Sequence, residues 1–570
     1  MKFTAMSLWL FFLAATFTYA QTNNLKNVQH VIIVIQENRT PDNLFQKDQT
    51  LITNGAHIVS QGMCGDTTIT LQPAMLGTCW DTDHSHSQPH PSWTGMWANG
   101  NMNGACQIFT YGVDNVKNPC TPAPPLCPDQ TIGKYCAAMT FTQNSLINST
   151  GTTRILDPYF QLANQYGWAN YMFQTNQGPS FPAHQFLFSG TSAPIQYNDA
   201  NDPCGTYPCW EWFDAENTSG KTNGCIADAG ITAWQIDPTS TESKPTNPLG
   251  FPNGYPCYDH PALSDLFTTN AATSVWKYYA RSPAQLWTAP SAINHICMTN
   301  GGGNGGSCEG TAWQANVGAV LPDQGNYAND AAPILTDIAN CHLPRVSWVI
   351  PDGNWSDHNG NANGDGGPSW AAAIVNAIGQ DKTCEGGNGY WSDTTILLTW
   401  DDWGGLYDDI APPDCPGPGG CTGYSNNTGQ QYIYGFRVPL IVISAYTKQV
   451  TPQGGYISGP PSNPQCAGNS YCHDFGSILN FIEYAFGQNG QSLGSIGTAN
   501  YPYADALAMD APPTCSTCTY SLSDFFDFSS ARSFKAITGA KYPPSCFHNP
   551  KATGCFPSYP TDPDNDADEN

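Results

Sequence analysis

The sequence predicts an α/β fold layered around a sheet whose strands are buried on both faces. Three apolar runs carry that reading: His30-Val-Ile-Ile-Val-Ile-Gln36, Thr395-Ile-Leu-Leu-Thr-Trp400 and Pro439-Leu-Ile-Val-Ile-Ser444. Short, continuous, β-branched runs suit strands of a parallel sheet covered above and below. From residue 331 onward such runs alternate with helical patterns, as in α/β layers. A chain of 570 residues can bury a large core; its length allows two to four domains, but single large α/β units also reach this size.

Taken in order, the chain opens on a targeting segment. Lys2 gives the positive start, Leu8 to Ala15 the apolar stretch and Thr18-Tyr19-Ala20 a small-residue cleavage site, so residues 1–20 read as a secretory signal. The apolar stretch is too short to span a bilayer, and no later segment is long enough. The expected domain runs over residues 21–545 and begins with the strand at His30. Residues from about 50 to 140, and again 200–258, are rich in Cys, Gly, Pro and Asn and read as loop-rich insertions. Asp157 to Gly190 reads as helical with a turn at Gly178-Pro179-Ser180, Pro261 to Phe267 as a helix start and Val275 to Tyr279 as a strand. Gly301 to Gly310 is glycine-rich without the Gly-Lys-Ser/Thr ending of a P-loop. Then follow a strand at Val346–Ile350, a helix at Ser369–Gly379, strands at Thr394–Trp400 and Pro439–Ser444, and a helix at Gly476–Phe486. Residues 546–570 form an acidic tail; its Asp562-Pro-Asp-Asn-Asp run lacks the glycine and distant glutamate of an EF-hand and reads as solvated charge.

The formal charge of −26 argues against nucleic acid as a partner and against broad adhesion to anionic membrane. It leaves room for an anionic substrate, because a bound cation reverses the local field. All 22 cysteines follow the signal, an even, dispersed set that points to disulfides in an exported, extracellular or periplasmic protein. Cys515-Ser-Thr-Cys518 has redox or zinc spacing, but without a second matched pair a structural bridge is the expectation. Pairings do not follow from the sequence.

Two of the apolar runs end in acid. Glu37-Asn38 follows the first and Asp401-Asp402 the second. Ligands of parallel sheets gather at the carboxyl ends of the strands, which places four oxygen donors at one rim. Three carboxylates do not crowd together ionised without a cation, and an oxygen-only set suits Mg²⁺, Ca²⁺ or Mn²⁺. Asn and Asp after strands also cap helices and form turns, so pattern alone leaves both readings open.

At Glu37-Asn38-Arg39-Thr40-Pro41-Asp42 the chain resembles the opening motif of the bacterial phosphoesterase family, which includes non-specific phospholipases C and secreted acid phosphatases. Further blocks follow in the family's order. They are Asp81-Thr-Asp-His84-Ser85, Gly178-Pro-Ser180-Phe-Pro182-Ala-His184, Tyr258-Asp-His260-Pro261 with Trp276-Lys-Tyr-Tyr279, Asp357-His358, Thr399 to Gly405 with Tyr407-Asp408, Arg437 to Ser444 and His473 to Leu479. Together they span roughly residues 28–486. The resemblance implies an alkaline-phosphatase-like layered sheet with helices on both faces, and hydrolysis of phosphoric esters. Asn43 and Asp409-Ile410 stand where the family often has His and His-Val, Ala183 where Asn is common, and Asp401-Asp402 where Asp-Glu is frequent. The acid pair and the Pro-x-His-Gln-Phe stretch lean towards the acid phosphatase branch.

What the resemblance implies for roles is a cation held by Glu37, Asn38, Asp401 and Asp402, with Ser180 as nucleophile and Thr40 as the alternative. Ser180 in its Pro-rich turn otherwise reads as a helix cap. A helix N-terminus, however, presents free N–H groups to phosphate. His84 and His358 are the first choices for phosphate contact or proton transfer, then His184 and His260; His473 positions the closing helix. Arg39 contacts phosphate or pairs with a carboxylate. Trp403, Tyr407 and Trp355 read as core packing before cleft lining. The expected substrates are small phosphomonoesters or, alternatively, phospholipid diesters. A non-catalytic extracellular binding protein on the same scaffold is the reading from another class.

Overall fold

A computed structural model describes most of residues 25–84, 102–192, 255–413 and 432–556, plus short pieces between 211 and 236. The signal segment, Gly178, Cys204, Cys209, Cys415, Cys421, most of the second insertion and residues 557–570 of the acidic tail lie outside the described residues.

An eight-stranded mixed sheet forms the centre. Its strands are β1 (His30–Gln36), β2 (Gly167–Ala169), β3 (Trp276–Tyr279), β4 (Val346–Val349), β5 (Thr394–Trp400), β6 (Leu440–Ser444), β7 (Gln449–Thr451) and β8 (Gly454–Ser458). They lie in the order β3-β4-β1-β5-β6-β2-β8-β7. The first four are mutually parallel, and every residue of β1, β4 and β5 is buried. β6 runs antiparallel to β5, and β7 antiparallel to β8, so the sheet departs from the all-parallel expectation. The parallel strands are fed by crossovers. β6, by contrast, is entered after a stretch with no described helix, and a reversed neighbour needs no crossover.

Helices cover both faces. Strand alternation puts Trp276, Tyr278, Trp348, Val31, Ile33 and Ile35 on one face through the register Tyr278↔Trp348 and Ile33↔Trp348. Helix α2 (Ser180–Ser189) packs there: the Phe188 ring lies 4.9 Å from Trp348 and 5.6 Å from Trp276, and the Trp348 indole donates to the Leu187 carbonyl. Helix α4 (Phe475–Phe486) packs on α2. On the other face Trp400 meets Tyr159 of α1 (Asp157–Gln165) at 5.3 Å, and α3 (Gly367–Gln380) packs beside α1.

The helical stretch expected over Asp157–Gly190, with its turn at Gly178-Pro179-Ser180, is interrupted well before that turn. α1 stops at Gln165, and β2 and a short strand Tyr171–Phe173 precede α2. Gly167 weakens helix, while Trp168, Tyr171 and Phe173 favour strand on a pleated, buried surface. Pro261–Phe267 reduces to a 3-10 turn at Leu263–Leu266. The first insertion is pinned by Cys64–Cys106, Cys79–Cys120 and Cys127–Cys136. Nine disulfides hold the described cysteines, Cys515–Cys518 among them as a plain bridge, and none of those cysteines is free. Among the described residues no helix is long and apolar enough to cross a membrane.

Candidate active site

The acids leave the sheet on the face that carries α2. Gln36 pairs with Trp400 at the ends of β1 and β5, and the Asp401 N–H extends the ladder to the Gln36 carbonyl at 2.9 Å. Alternation then places Glu37 after Ile35 and Asp401 after Thr399, beside Ser180 rather than Tyr159. The chain turns sharply at Asn38, whose φ is +57°. Gly404 makes that turn possible. A Cβ there would lie 2.6 Å from Asn38 Cβ and from its carbonyl oxygen, so only glycine fits.

Ser180 is the first residue of α2, after Pro179 in extended geometry, and Pro182 falls in the first turn, where no intrahelical N–H is required. The helix ends on Gly190 at φ +72°. Ser180 Oγ donates towards Glu37 Oε2 at 3.2 Å and Asp402 Oδ2 at 3.4 Å. One turn on, His184 Nε2 lies 3.1 Å from Glu37 Oε1 and 3.7 Å from Asp401 Oδ2. The Asn38 amide N–H donates to Asp401 Oδ1, and Gly404 N–H to Asp402 Oδ1. Glu37, Asn38, Ser180, His184, Asp401 and Asp402 have no solvent exposure.

This donor set fits a cation. Burial, then the neighbouring Asp401 and Asp402, hold the Glu37 carboxyl well above the usual carboxylate range. No ion pair among the described residues brings a Lys or Arg to Glu37 or Asp401. Asn38 Oδ1 and Asp401 Oδ2 are buried without a hydrogen-bond partner among the described residues. Burial also drops the His184 imidazole to about 4, so it is neutral at pH 7. Tyr278 gives its hydroxyl hydrogen to the Trp287 carbonyl at 2.7 Å, which leaves its oxygen 3.5 Å from His184 Nδ1 as an acceptor. That arrangement favours the tautomer with its Nε2 lone pair facing the acids, as in metal-ligating histidines. Glu37, His184 and Asp401 have ligand atoms within 4.8 Å of one another. A second acid group, Asp42, Asp408 and Asp409, already holds its cation: Arg437 donates to Asp408 from Nε at 2.9 Å and Nη2 at 3.0 Å.

The other sequence-derived residues divide. His84 joins the site. Its Nδ1 lies 2.8 Å from the Thr82 carbonyl, so Nδ1 carries the hydrogen and Nε2 accepts from Asn38 Nδ2 at 3.0 Å, with Asp402 Oδ2 at 4.0 Å. His358 is adjacent, its ring 5.8 Å from His84. His260 is buried with Nδ1 on the Pro261 carbonyl and its ring stacked on Tyr258; among the described residues nothing brings it to the acids. Thr40 is spent on a cap, accepting from Asn43 N–H and donating to the Tyr407 carbonyl. Arg39 turns away from the acids. It donates to the Asp357 and Leu76 carbonyls and to Asn43 Oδ1. Asn43 also bonds Thr140 and Thr142. Asp409 pairs with His57 at 2.8 Å. Trp403 packs on Phe436 and Trp355 on Trp370, both in core roles. The sequence reading missed Trp287, a loop aromatic with no motif around it, and gave no role to Tyr278, which lies within the matched Trp276-Lys-Tyr-Tyr279 stretch.

Residues 28–488 match the model of the Phosphoesterase family. The chain belongs to that family. Proteins similar to it include the non-hemolytic phospholipase C of Pseudomonas aeruginosa, 21% identical over 503 residues, covering 81% of this chain and 54% of that protein. The hemolytic phospholipase C of the same organism is 23% identical over 343 residues, covering 58% of this chain and 38% of that protein. Phospholipase C B of Mycobacterium tuberculosis is 30% identical over 129 residues, covering 20% of this chain and 22% of that protein. The chain thus spans about half the length of the first relative and less of the others.

Proposed function

We propose that this protein is a secreted phosphoric ester hydrolase that attacks phosphorus with Ser180 and prefers phosphomonoesters. The observation that carries the reading is Ser180 Oγ at the head of a helix, within 3.4 Å of two carboxylates that end different segments of the sheet. Glu37, Asn38, Asp401 and Asp402, joined by His184, would hold a divalent cation, which supplies positive charge to the phosphate oxygens and to the serine oxygen. Glu37 and Asp402 accept the hydroxyl hydrogen and orient Oγ. The first N–H groups of α2 point at the incoming oxygens. Asp402 Oδ2, which faces both Ser180 Oγ and His84 Nε2, takes up the serine proton and passes it to His84, which gives it to the leaving alcohol, and His358 beside it shares the later activation of water that clears the phosphoserine. The layered sheet with helices on both faces agrees with the alkaline-phosphatase-like architecture that the motifs imply, and the disulfides with export.

The names of the relatives favour a second reading, a phospholipase C-type diester hydrolase. The enclosed acid cup and the Asp401-Asp402 pair favour the monoester. Comparing p-nitrophenyl phosphate with p-nitrophenylphosphorylcholine separates them. Ser180→Ala should abolish turnover of either ester with an unchanged melting temperature. Full activity in S180A removes the nucleophile, and inactivity of the wild type on every phosphoester, with Mg²⁺, Ca²⁺ and Mn²⁺ each supplied, returns the scaffold to a binding role.

A further inference from the structure

We infer that Trp287 is a substrate-contacting residue whose indole N–H donates to a phosphate oxygen of the ester held over the acid cup. The inference rests on the phosphoester reading and adds a residue that no motif marks. Trp287 lies on the loop between β3 and the turn Ala289–Ala292. Its ring is close to parallel with two imidazoles from separate elements: His184 of α2, 6.5 Å away at 22°, and His358 after β4, 6.1 Å away at 29°. His184 reaches the acids directly, and His358 abuts His84, which reaches Asn38. Trp287 therefore joins the two ends of the histidine arc that borders the cup. The Tyr278 hydroxyl fixes its backbone by donating to its carbonyl.

The indole nitrogen is the telling atom. It is a donor only, it is buried, and among the described residues it has no acceptor. Gln285, two residues earlier on the same loop, is fully buried with both amide atoms likewise unpartnered. Buried polar atoms are nearly always satisfied, so a loop with three orphans is built for something that arrives from outside. An indole N–H does not ionise at working pH. It recognises an anionic oxygen without acid–base chemistry, unlike the histidines on either side.

The test uses the full secreted protein with a divalent cation supplied, and two variants whose side chains carry no donor, Trp287→Phe and Trp287→Leu. Either one suffices if the other fails to fold. Inorganic phosphate is titrated calorimetrically, and p-nitrophenyl phosphate turnover is followed in parallel. Losing a hydrogen bond to a charged oxygen should weaken phosphate binding roughly tenfold or more and raise KM in step, while the melting temperature stays near that of the wild type. A role in packing alone lowers the melting temperature and leaves phosphate affinity intact. Unchanged affinity in a folded variant overturns the inference and assigns the N–H to a bound water, as does a wild type that binds no phosphate. A wild type that binds phosphate yet hydrolyses no ester sinks the proposed function, while the variants still decide the role of Trp287.

Discussion

His184 Nε2 lies 3.1 Å from Glu37 Oε1, so a nitrogen enters a cup that the sequence marks as oxygen-only. Imidazole shifts a site's preference from Mg²⁺ and Ca²⁺ towards Mn²⁺ and other borderline metals. His184→Ala should weaken Mn²⁺ binding, titrated calorimetrically, by at least the roughly 10–100-fold that loss of an outer-shell partner costs. Unchanged affinity together with lost turnover would return His184 to the proton-transfer role that the sequence suggests.

The position of Glu37 and Asp401 was legible because strands alternate: acids following buried runs must emerge at a strand end, and residue type does the rest. The register that brings the two ends together, Gln36 opposite Trp400, was not, since either run pairs equally well with other apolar strands. Ser180 became visible through the family's blocks, because a serine after proline at a helix start is ordinary capping. The link from Ser180 to His184 was present as an i, i+4 spacing on one helix face and went unused. The left-handed turn at Asn38 could not be read, and it sends Arg39 away from phosphate. The antiparallel entry of β6 was equally hidden, because a buried strand reads the same in both directions.

Arg39 makes four hydrogen bonds that tie the Asp357-His358 loop, the Leu76 segment and Asn43 to the end of β1. It is the fixed cation beside Asp357, a carboxyl that burial pushes up to about 6 and that Arg39 draws back down. Arg39→Met should cost about 3 kcal/mol or more of stability in urea unfolding, as for other broken buried charge arrangements. Arg39→Lys keeps the charge but not the fork, and should lower kcat through His358 with little change in KM. A rise in KM and in the phosphate inhibition constant with stability unchanged would instead put Arg39 on the substrate.

Cys79–Cys120 closes a 41-residue separation just ahead of the Asp81–His84 segment. A double Cys79→Ala, Cys120→Ala variant should lose about 2–4 kcal/mol and also lose turnover, because His84 is carried on the released segment. Removing Cys546–Cys555, near the chain end, should leave turnover per folded molecule intact. Equal kcat in the two double variants would show that His84 holds its place, or that its place does not matter.

His473 makes a trio that resembles nucleophile, base and acid: Ser458 Oγ at 3.0 Å from Nε2 and Asp510 Oδ2 at 2.7 Å from Nδ1. It is a structural hub instead. Ser458 donates to Asp524 Oδ2 at 2.5 Å, and although burial opposes it, Asp524, Asp510 and Asp474 together raise the His473 pKa, which favours the protonated ring over a base. Asp474, which caps α4, is pushed up to about 7 by burial and then by Asp510. Both groups bind a proton more tightly folded than unfolded. Their stabilisation is complete below the unfolded values, about 6.5 for His and 3.9 for Asp, and is lost as pH rises through the folded ones. Asp357, pushed up to about 6, adds the same sign. Unfolding free energy should therefore fall between pH 5 and pH 8, and Asp474→Asn, which removes one of these titrations, should flatten the fall. Urea unfolding at the two pH values measures both; stability that climbs across this range, or a slope untouched by D474N, would show that the hub does not set the pH response.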